Sequence, residues 1–186
     1  MSHGHFHPDE SERRRSQEPF SILRLAGLQE GMVFIDMGCG QGFFTMPAAE
    51  IVGGKGKVYA IDVDPASIEK LEERASEKGL VNIVLKAARA EEVILFDSKA
   101  DMVLFANSFH DFDDKAKVLA NSWRMLKGGG KVVDLDWKRK DTVHGPPLWK
   151  RLTAEEVQGL MSDAGFGPVT AKDCGKQHYL ILGKKA

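Results

Sequence analysis

The segment that most constrains this chain is Val33-Phe34-Ile35-Asp36-Met37-Gly38-Cys39-Gly40-Gln41-Gly42, an apolar run that ends in glycines at alternate positions. A short apolar run bounded by glycine reads as a buried strand, and the glycines permit a sharp turn that brings bare backbone against a ligand. At the carboxyl end of the first strand of an open parallel sheet, such a turn lines the crevice where ligands bind. A glycine triplet alone does not discriminate, because many strand-to-helix turns carry glycine for packing only.

The rest of the pattern supplies the sheet. Lys57 to Ile61, Asn82 to Lys86, Asp101 to Ala106 and Lys131 to Leu135 are short β-rich runs that alternate with helical patterns. Phe20 to Ala26 reads as a short helix ahead of the first strand. Asp64 and Pro65 offer a cap and a first-turn proline to a helix with Ile68, Leu71 and Ala75 on one face and Gly79 just past its end. Another helix is expected from Asp113 to Leu126, stopped by Gly128-Gly129-Gly130, and Thr153 with Glu156 forms a capping box for one more. Alternation of strand and helix predicts an α/β, Rossmann-like fold: a mostly parallel seven-stranded sheet with helices on both faces. Val169 to Ala171 and Tyr179 to Leu182 are joined only by a polar loop, which predicts a C-terminal antiparallel hairpin.

At 186 residues the chain has room for one sizeable core but not two. A single domain is expected over residues 19–186. Residues 1–18 form an arm rich in His, Arg, Glu and Ser that buries little surface by itself, and is either loose or folded over a site. The 26 basic and 27 acidic side chains balance, so no global bias toward nucleic acid or membrane is present. Cys39 and Cys174 offer neither a disulfide framework nor zinc spacing, and no apolar run approaches the ~20 residues of a membrane span. Met1 to Pro19 is too polar for a secretory signal, which makes the cytoplasm the expected compartment. His3, His5 and His7 alternate with Gly4 and Phe6 but lack accompanying carboxylates, so no metal is expected.

Two features sharpen the glycine turn. The second strand ends in Tyr59-Ala60-Ile61-Asp62, which places a carboxylate where it can accept both hydroxyls of a ribose. The dinucleotide fingerprint G-x-G-x-x-G is not met, because the third glycine arrives one residue early and Phe43-Phe44 follow. A pyrophosphate wants unobstructed helix-terminal N–H groups, whereas a nucleoside with an uncharged link to an amino acid tolerates bulk there.

Asp36-Met37-Gly38-Cys39-Gly40-Gln41-Gly42, Asp62 and Arg124-Met125-Leu126-Lys127-Gly128-Gly129-Gly130 together resemble the motifs of class I S-adenosylmethionine-dependent methyltransferases. The nearest type is that of ubiquinone and menaquinone biosynthesis and its small relatives, and the match runs in order from Gly31 to Leu182. The resemblance implies S-adenosyl-L-methionine as cofactor. By the same resemblance, Asp36, Gly38, Cys39, Gly40 and Gly42 approach its amino-acid end, Asp62 holds the ribose, Val63 lines the adenine, and Asn107 joins the set. An aspartate usually stands beside the adenine after the third strand. Here Lys86-Ala87-Ala88-Arg89-Ala90-Glu91 puts Arg89 at that place and leaves the backbone around Ala90 to read the ring.

Methyl transfer from a sulfonium is an in-line displacement, so alignment and exclusion of water matter more than acid or base groups. A base helps when the acceptor must lose a proton, and it should stand past the ends of the fourth and fifth strands, at Asn107-Ser108-Phe109-His110-Asp111 or Asp134-Leu135-Asp136-Trp137. His110 is the first candidate, since an unperturbed imidazole titrates near working pH, and Asp136 is the second. The alternative for His110 is a helix cap or a water-facing side chain. Lys138 to Arg151 carries Lys138, Arg139, Lys140, Lys150 and Arg151 with Trp137, Trp149 and Pro146-Pro147, and either clamps an anionic or aromatic small molecule or is a solvated loop. Arg13-Arg14-Arg15 is either a cofactor-carboxylate contact or a solvated charge run. The Asn- or Asp-Pro-Pro-aromatic motif of amino-group methyltransferases is absent, as are the several thiolates that arsenic would need. The leading expectation is a small-molecule methyl acceptor. RNA or protein methylation would call for a basic stripe or recognition domain, and a regulatory protein that binds the cofactor without chemistry is the remaining alternative.

Overall fold

The chain, seen in a computed structural model, is described over residues 13–14, 16–142 and 144–186. Strand β1 (Val33–Met37) lies in the interior of the sheet, and its two faces feed two different cores. Phe34 packs with Leu23, Phe44, Val52 and Val133, whereas Ile35 and Met37 pack with Phe105, Phe109, Val132 and Ile181. This is why the run lacks strict alternation: a parallel strand covered on both faces must be apolar throughout.

Helix α1 (Pro19–Ala26) precedes β1, and α2 (Thr45–Val52) follows the glycine turn. Then come β2 (Lys57–Asp62), α3 (Pro65–Glu77), β3 (Ile83–Ala87), β4 (Ala100–Ala106), α4 (Lys115–Met125), β5 (Leu126–Trp137), α5 (Ala154–Asp163), β6 (Val169–Cys174) and β7 (His178–Lys184). The sheet order is β3-β2-β1-β4-β5-β7-β6, with β7 antiparallel to both neighbours. The expected mostly parallel seven-stranded sheet with a terminal antiparallel hairpin is therefore present. Between β1 and β4 the winding reverses direction, and the carboxyl ends of those strands open the crevice.

Local chemistry sets the helix ends. The Asp64 carboxylate accepts from the N–H groups of Ala66 and Ser67, with Pro65 at the first helical position, a cap worth about 1 kcal/mol. Thr153 and Glu156 make the reciprocal capping box of α5. Burial of Leu71 and Ala75 then fixes α3 to the sheet, at about 1.5 to 3 kcal/mol for the leucine.

One boundary differs from expectation. Gly128 to Gly130 do not form a loop after the helix, because α4 ends at Met125 and β5 starts at Leu126 and runs through the glycines. A side chain at Gly130 would meet the carbonyl oxygen of Ala100 at 3.0 Å, so glycine there permits close strand approach at an irregularity in the β4–β5 register.

Candidate functional site

The crevice is a cleft of about 1580 Å3 that runs from the glycine turn after β1 to the loop after β5. At its first end the backbone is folded onto itself. The N–H groups of Gly38 and Cys39 both donate to the carbonyl of Ile61, at 2.8 and 3.0 Å, and the N–H of Gly42 donates to Cys39 at 3.0 Å. Asp62 completes the turn by accepting from the N–H of Gly40 at 2.7 Å and from that of Asp64 at 2.9 Å. Each carboxylate oxygen keeps acceptor capacity after those bonds.

The three glycines serve different ends. Gly38 has φ +80, and a Cβ there would lie 2.5 Å from the Cβ of Ser108, whose hydroxyl donates to the carbonyl of Met37 at 2.9 Å. Gly40 has φ +52 and would place its Cβ in open space, with nothing within 4 Å. Gly42 does not line the cleft: its φ of +90 and missing side chain make room for Leu71, whose Cδ1 is 2.3 Å from where a Cβ would stand. The expected contact role for Gly42 is thus a packing role, set by α3 rather than by the cleft.

Asp36 is buried beneath the turn. Thr45 donates to its Oδ2 at 2.7 Å, while Oδ1 has no partner among the described residues. Burial pushes its pKa up to about 6 against the lowering effect of the Thr45 bond. Cys39 is buried with its thiol pKa driven upward by burial, so it is a neutral wall group and no nucleophile. Val63 lies 63% exposed on the cleft beside Asp62. Arg89 caps a short helical turn, Ala90–Glu92, and pairs with Asp113 at 2.6 Å and Glu91 at 3.7 Å. Both Arg89 and Ala90 line the cleft.

The other end is assembled from distant segments. Asn107, in a left-handed conformation at φ +56, faces Gln17 through two amide hydrogen bonds of 2.9 and 3.2 Å. Gln17 Nε2 also meets His178 Nε2 at 2.6 Å. Burial, with Arg13, Arg151 and Lys138 nearby, pushes the His178 pKa down to about 3, so the ring is neutral and accepts that hydrogen bond. The described part of the arm therefore lies across the cleft, and Arg13 stacks 4.1 Å above the Phe43 ring. Neither Gln17 nor His178 carried a sequence signal; each is identified only by the partner the fold delivers to it.

His110 sits on a short helical turn, Phe109–Asp111, after β4. Its Nδ1 lies 2.9 and 2.8 Å from the two oxygens of Asp136, and its Nε2 lies 3.3 Å from Asp111. Asp136 is buried behind the imidazole and also accepts from the N–H of Trp137 at 2.7 Å. Burial alone would lower the His110 pKa, but the hydrogen bonds and charges of Asp111 and Asp136 outweigh it and raise the pKa to about 9. The premise of an ordinary imidazole pKa at this position is corrected accordingly. Deeper on the same face of β5, Asp134 is fully buried with neither oxygen partnered among the described residues, and burial beside Asp136 pushes its pKa well up.

The segment after β5 is ordered by one side chain. Arg151 is buried and donates to the carbonyls of Pro146, Lys138, Lys140 and His144 at 2.7, 3.2, 2.7 and 3.4 Å. Most of the expected clamp cations have protein partners: Lys138 pairs with Asp173, Arg139 with Glu156, and Lys150 with Asp111. His3, His5, His7 and Arg15 lie outside the described residues. Among the described residues no group of His, Cys, Asp or Glu could hold a metal ion, and no helix is long and apolar enough to cross a membrane.

Residues 28–165 match the family described as methyltransferase domain. The chain belongs to that family. Its fold agrees: a methyltransferase dependent on S-adenosylmethionine from Aquifex aeolicus superposes with a TM-score of 0.87 at 28% identity, covering 97% of this chain and 100% of that one. Among curated relatives, the ubiquinone/menaquinone biosynthesis C-methyltransferase UbiE of Erwinia tasmaniensis is 28% identical over 156 residues, 83% of this chain and 60% of that protein. The aklanonic acid methyltransferase DauC of Streptomyces sp. strain C5 is 36% identical over 113 residues, 59% of this chain and 51% of that protein. This methyltransferase-family chain thus spans about half to three-fifths of the length of such relatives. The resemblance to class I methyltransferases read from the glycine turn and Asp62 holds for both family and fold.

Proposed function

We propose that this chain transfers the methyl group of S-adenosylmethionine to a small-molecule acceptor bound between the turn after β4 and the loop after β5. One observation carries the cofactor half of the proposal: Asp62 clamps the N–H of Gly40 at 2.7 Å while Gly40 faces open space. A carboxylate with spare acceptor capacity beside a bare backbone bend suits a ribose diol next to an uncharged linker.

The residues present fit that ligand. The unpartnered Oδ1 of Asp36 suits an amine or ammonium donor at the amino-acid end, with Gly38, Cys39 and Gly40 around it. Asp62 suits the ribose. Val63 suits one face of an adenine, and Ala90 lines the same cleft. Asn107 closes the far side. When bound, S-adenosylmethionine supplies an electrophilic methyl group on a sulfonium. The task left to the protein is to hold the acceptor in line and keep water out. His110, oriented by Asp136, is the group placed to meet that acceptor. The relatives' names, a ubiquinone/menaquinone biosynthesis C-methyltransferase and an aklanonic acid methyltransferase among them, support a small molecule.

Calorimetry with S-adenosylhomocysteine tests the cofactor half. Saturable binding of the homocysteine nucleoside, with no comparable uptake of a nicotinamide dinucleotide, is the expected result. Absence of binding, or preference for the dinucleotide, would refute the proposal.

A further inference from the structure

Asp111 stands between two cations that come from different parts of the chain. Its Oδ2 lies 3.3 Å from His110 Nε2, and its Oδ1 accepts from Lys150 Nζ at 2.7 Å. All three residues line the cleft. The two sides of His110 differ: Asp136 on Nδ1 is 2% exposed and locked by the Trp137 N–H, whereas Asp111 on Nε2 is 32% exposed at its side chain. One carboxylate is part of the framework, and the other sits where a ligand oxygen could replace it.

The same arrangement limits what His110 can do. Both ring nitrogens face carboxylates, Asp136 from β5 on Nδ1 and Asp111 from its own turn on Nε2, and these outweigh burial and leave the ring cationic at neutral pH. Asp134 behind them keeps its proton and adds no charge, and Lys150 from the loop opposes the ring's charge only across Asp111. A cation cannot accept a proton from an acceptor. It can hold an oxygen that has already lost one. Aromatic surface lines the same cleft: Trp137, Trp149 and Pro146 are among its walls, and Trp149 is 78% exposed. Flat, electron-rich surface next to paired cations suits a ring that carries an anionic oxygen.

Building on the methyl-transfer proposal above, we infer that the acceptor enters as an aromatic oxyanion, a carboxylate or phenolate, whose charged oxygen displaces Asp111 and is held by His110 Nε2–H and Lys150 Nζ. The electron balance then needs no base. A lone pair of the oxyanion forms the new oxygen–carbon bond, the carbon–sulfur bond breaks with its pair going to sulfur, and the product oxygen is neutral. Loss of the negative charge weakens its hold on both cations, and Asp111 returns to them as product leaves.

The full chain saturated with S-adenosylhomocysteine is the material for the test, with benzoate and para-nitrophenolate as anionic probes and benzamide as the neutral one. Calorimetry should show the anions binding at least about tenfold more tightly than benzamide, a difference of the size expected for one charged contact. Imidazole nitrogen NMR should find His110 doubly protonated at neutral pH, with the Nε2 resonance shifted by either anion. Lys150→Met should weaken both anions by about tenfold and Lys150→Arg should restore most of the loss, while binding of S-adenosylhomocysteine is unchanged. The inference is overturned by benzamide bound as tightly as benzoate, or by a His110 ring that is neutral at neutral pH. Binding of S-adenosylhomocysteine with no uptake of either anion also overturns it and leaves methyl transfer standing; a chain that takes up no S-adenosylhomocysteine fails at the earlier proposal instead. Benzoate binding without para-nitrophenolate would narrow the acceptor to a carboxylate, and the reverse to a phenolate.

Discussion

At the β1–β2 end of the cleft, main chain does the holding: N–H groups of Gly38, Cys39 and Gly40 are tied to Ile61 and Asp62, and one buried carboxylate, Asp36, waits beneath them. At the β4–β5 end, side chains from separate segments do it. Asp136, His110, Asp111 and Lys150 form a continuous chain of charge, and Gln17 ties Asn107 to His178. The contrast teaches where variation is tolerated. A backbone turn keeps its shape under most substitutions outside the glycines, so it suits an invariant ligand; a side-chain network changes with every residue, so it suits a ligand that differs between relatives.

The charge chain offers the largest effect through which to challenge that contrast. A His110 pKa of about 9 in the fold exceeds the unfolded value, so its stabilisation is complete below about pH 6.5 and is lost as pH rises through 9. At roughly 1.4 kcal/mol per pH unit, the parent should lose about 3 kcal/mol of stability relative to His110→Gln across that window in urea titrations. A flat difference between pH 6.5 and 9 would mean that the imidazole is not held by its carboxylates.

Next in size is Asp62→Ala, which removes an anchor of the ligand and of the turn together. Calorimetry with S-adenosylhomocysteine should show a loss of about 1.5 to 3 kcal/mol in affinity. Undiminished affinity would show that backbone alone grips the ligand.

The two glycines on the cleft separate packing from ligand access. Gly38→Ala should cost about 2 kcal/mol of stability, from a strained φ of +80 and a clash with Ser108. Gly40→Ala should cost about 1 kcal/mol of stability yet weaken S-adenosylhomocysteine more than that, because its methyl group enters the open space. Equal changes in stability and binding for the Gly40 variant would remove it from ligand contact.

An effect read by its direction alone concerns Asp134, which keeps its proton in the fold and would lose it unfolded. Stability of the parent should therefore fall with rising pH above about 4, a dependence that Asp134→Asn should remove. Parallel stability curves for the two would mean that the carboxyl finds a partner in solution.

The residue pattern alone settled the sheet, the caps at Asp64 and Thr153, the glycine turn and Asp62, since each depends on contacts within a strand, a helix turn or one β–α unit, where spacing in sequence is spacing in space. It also brought His110 forward as the first candidate base and Asp136 as the second, without showing that they touch. It could not set the proton on His110, the packing role of Gly42 against Leu71, the strand through Gly128 to Gly130, or the partnership of Gln17 with His178 across 161 positions. Those were decided by tertiary structure, because burial and the approach of charges from remote segments are properties of the folded neighbourhood, and no local periodicity encodes which neighbour arrives.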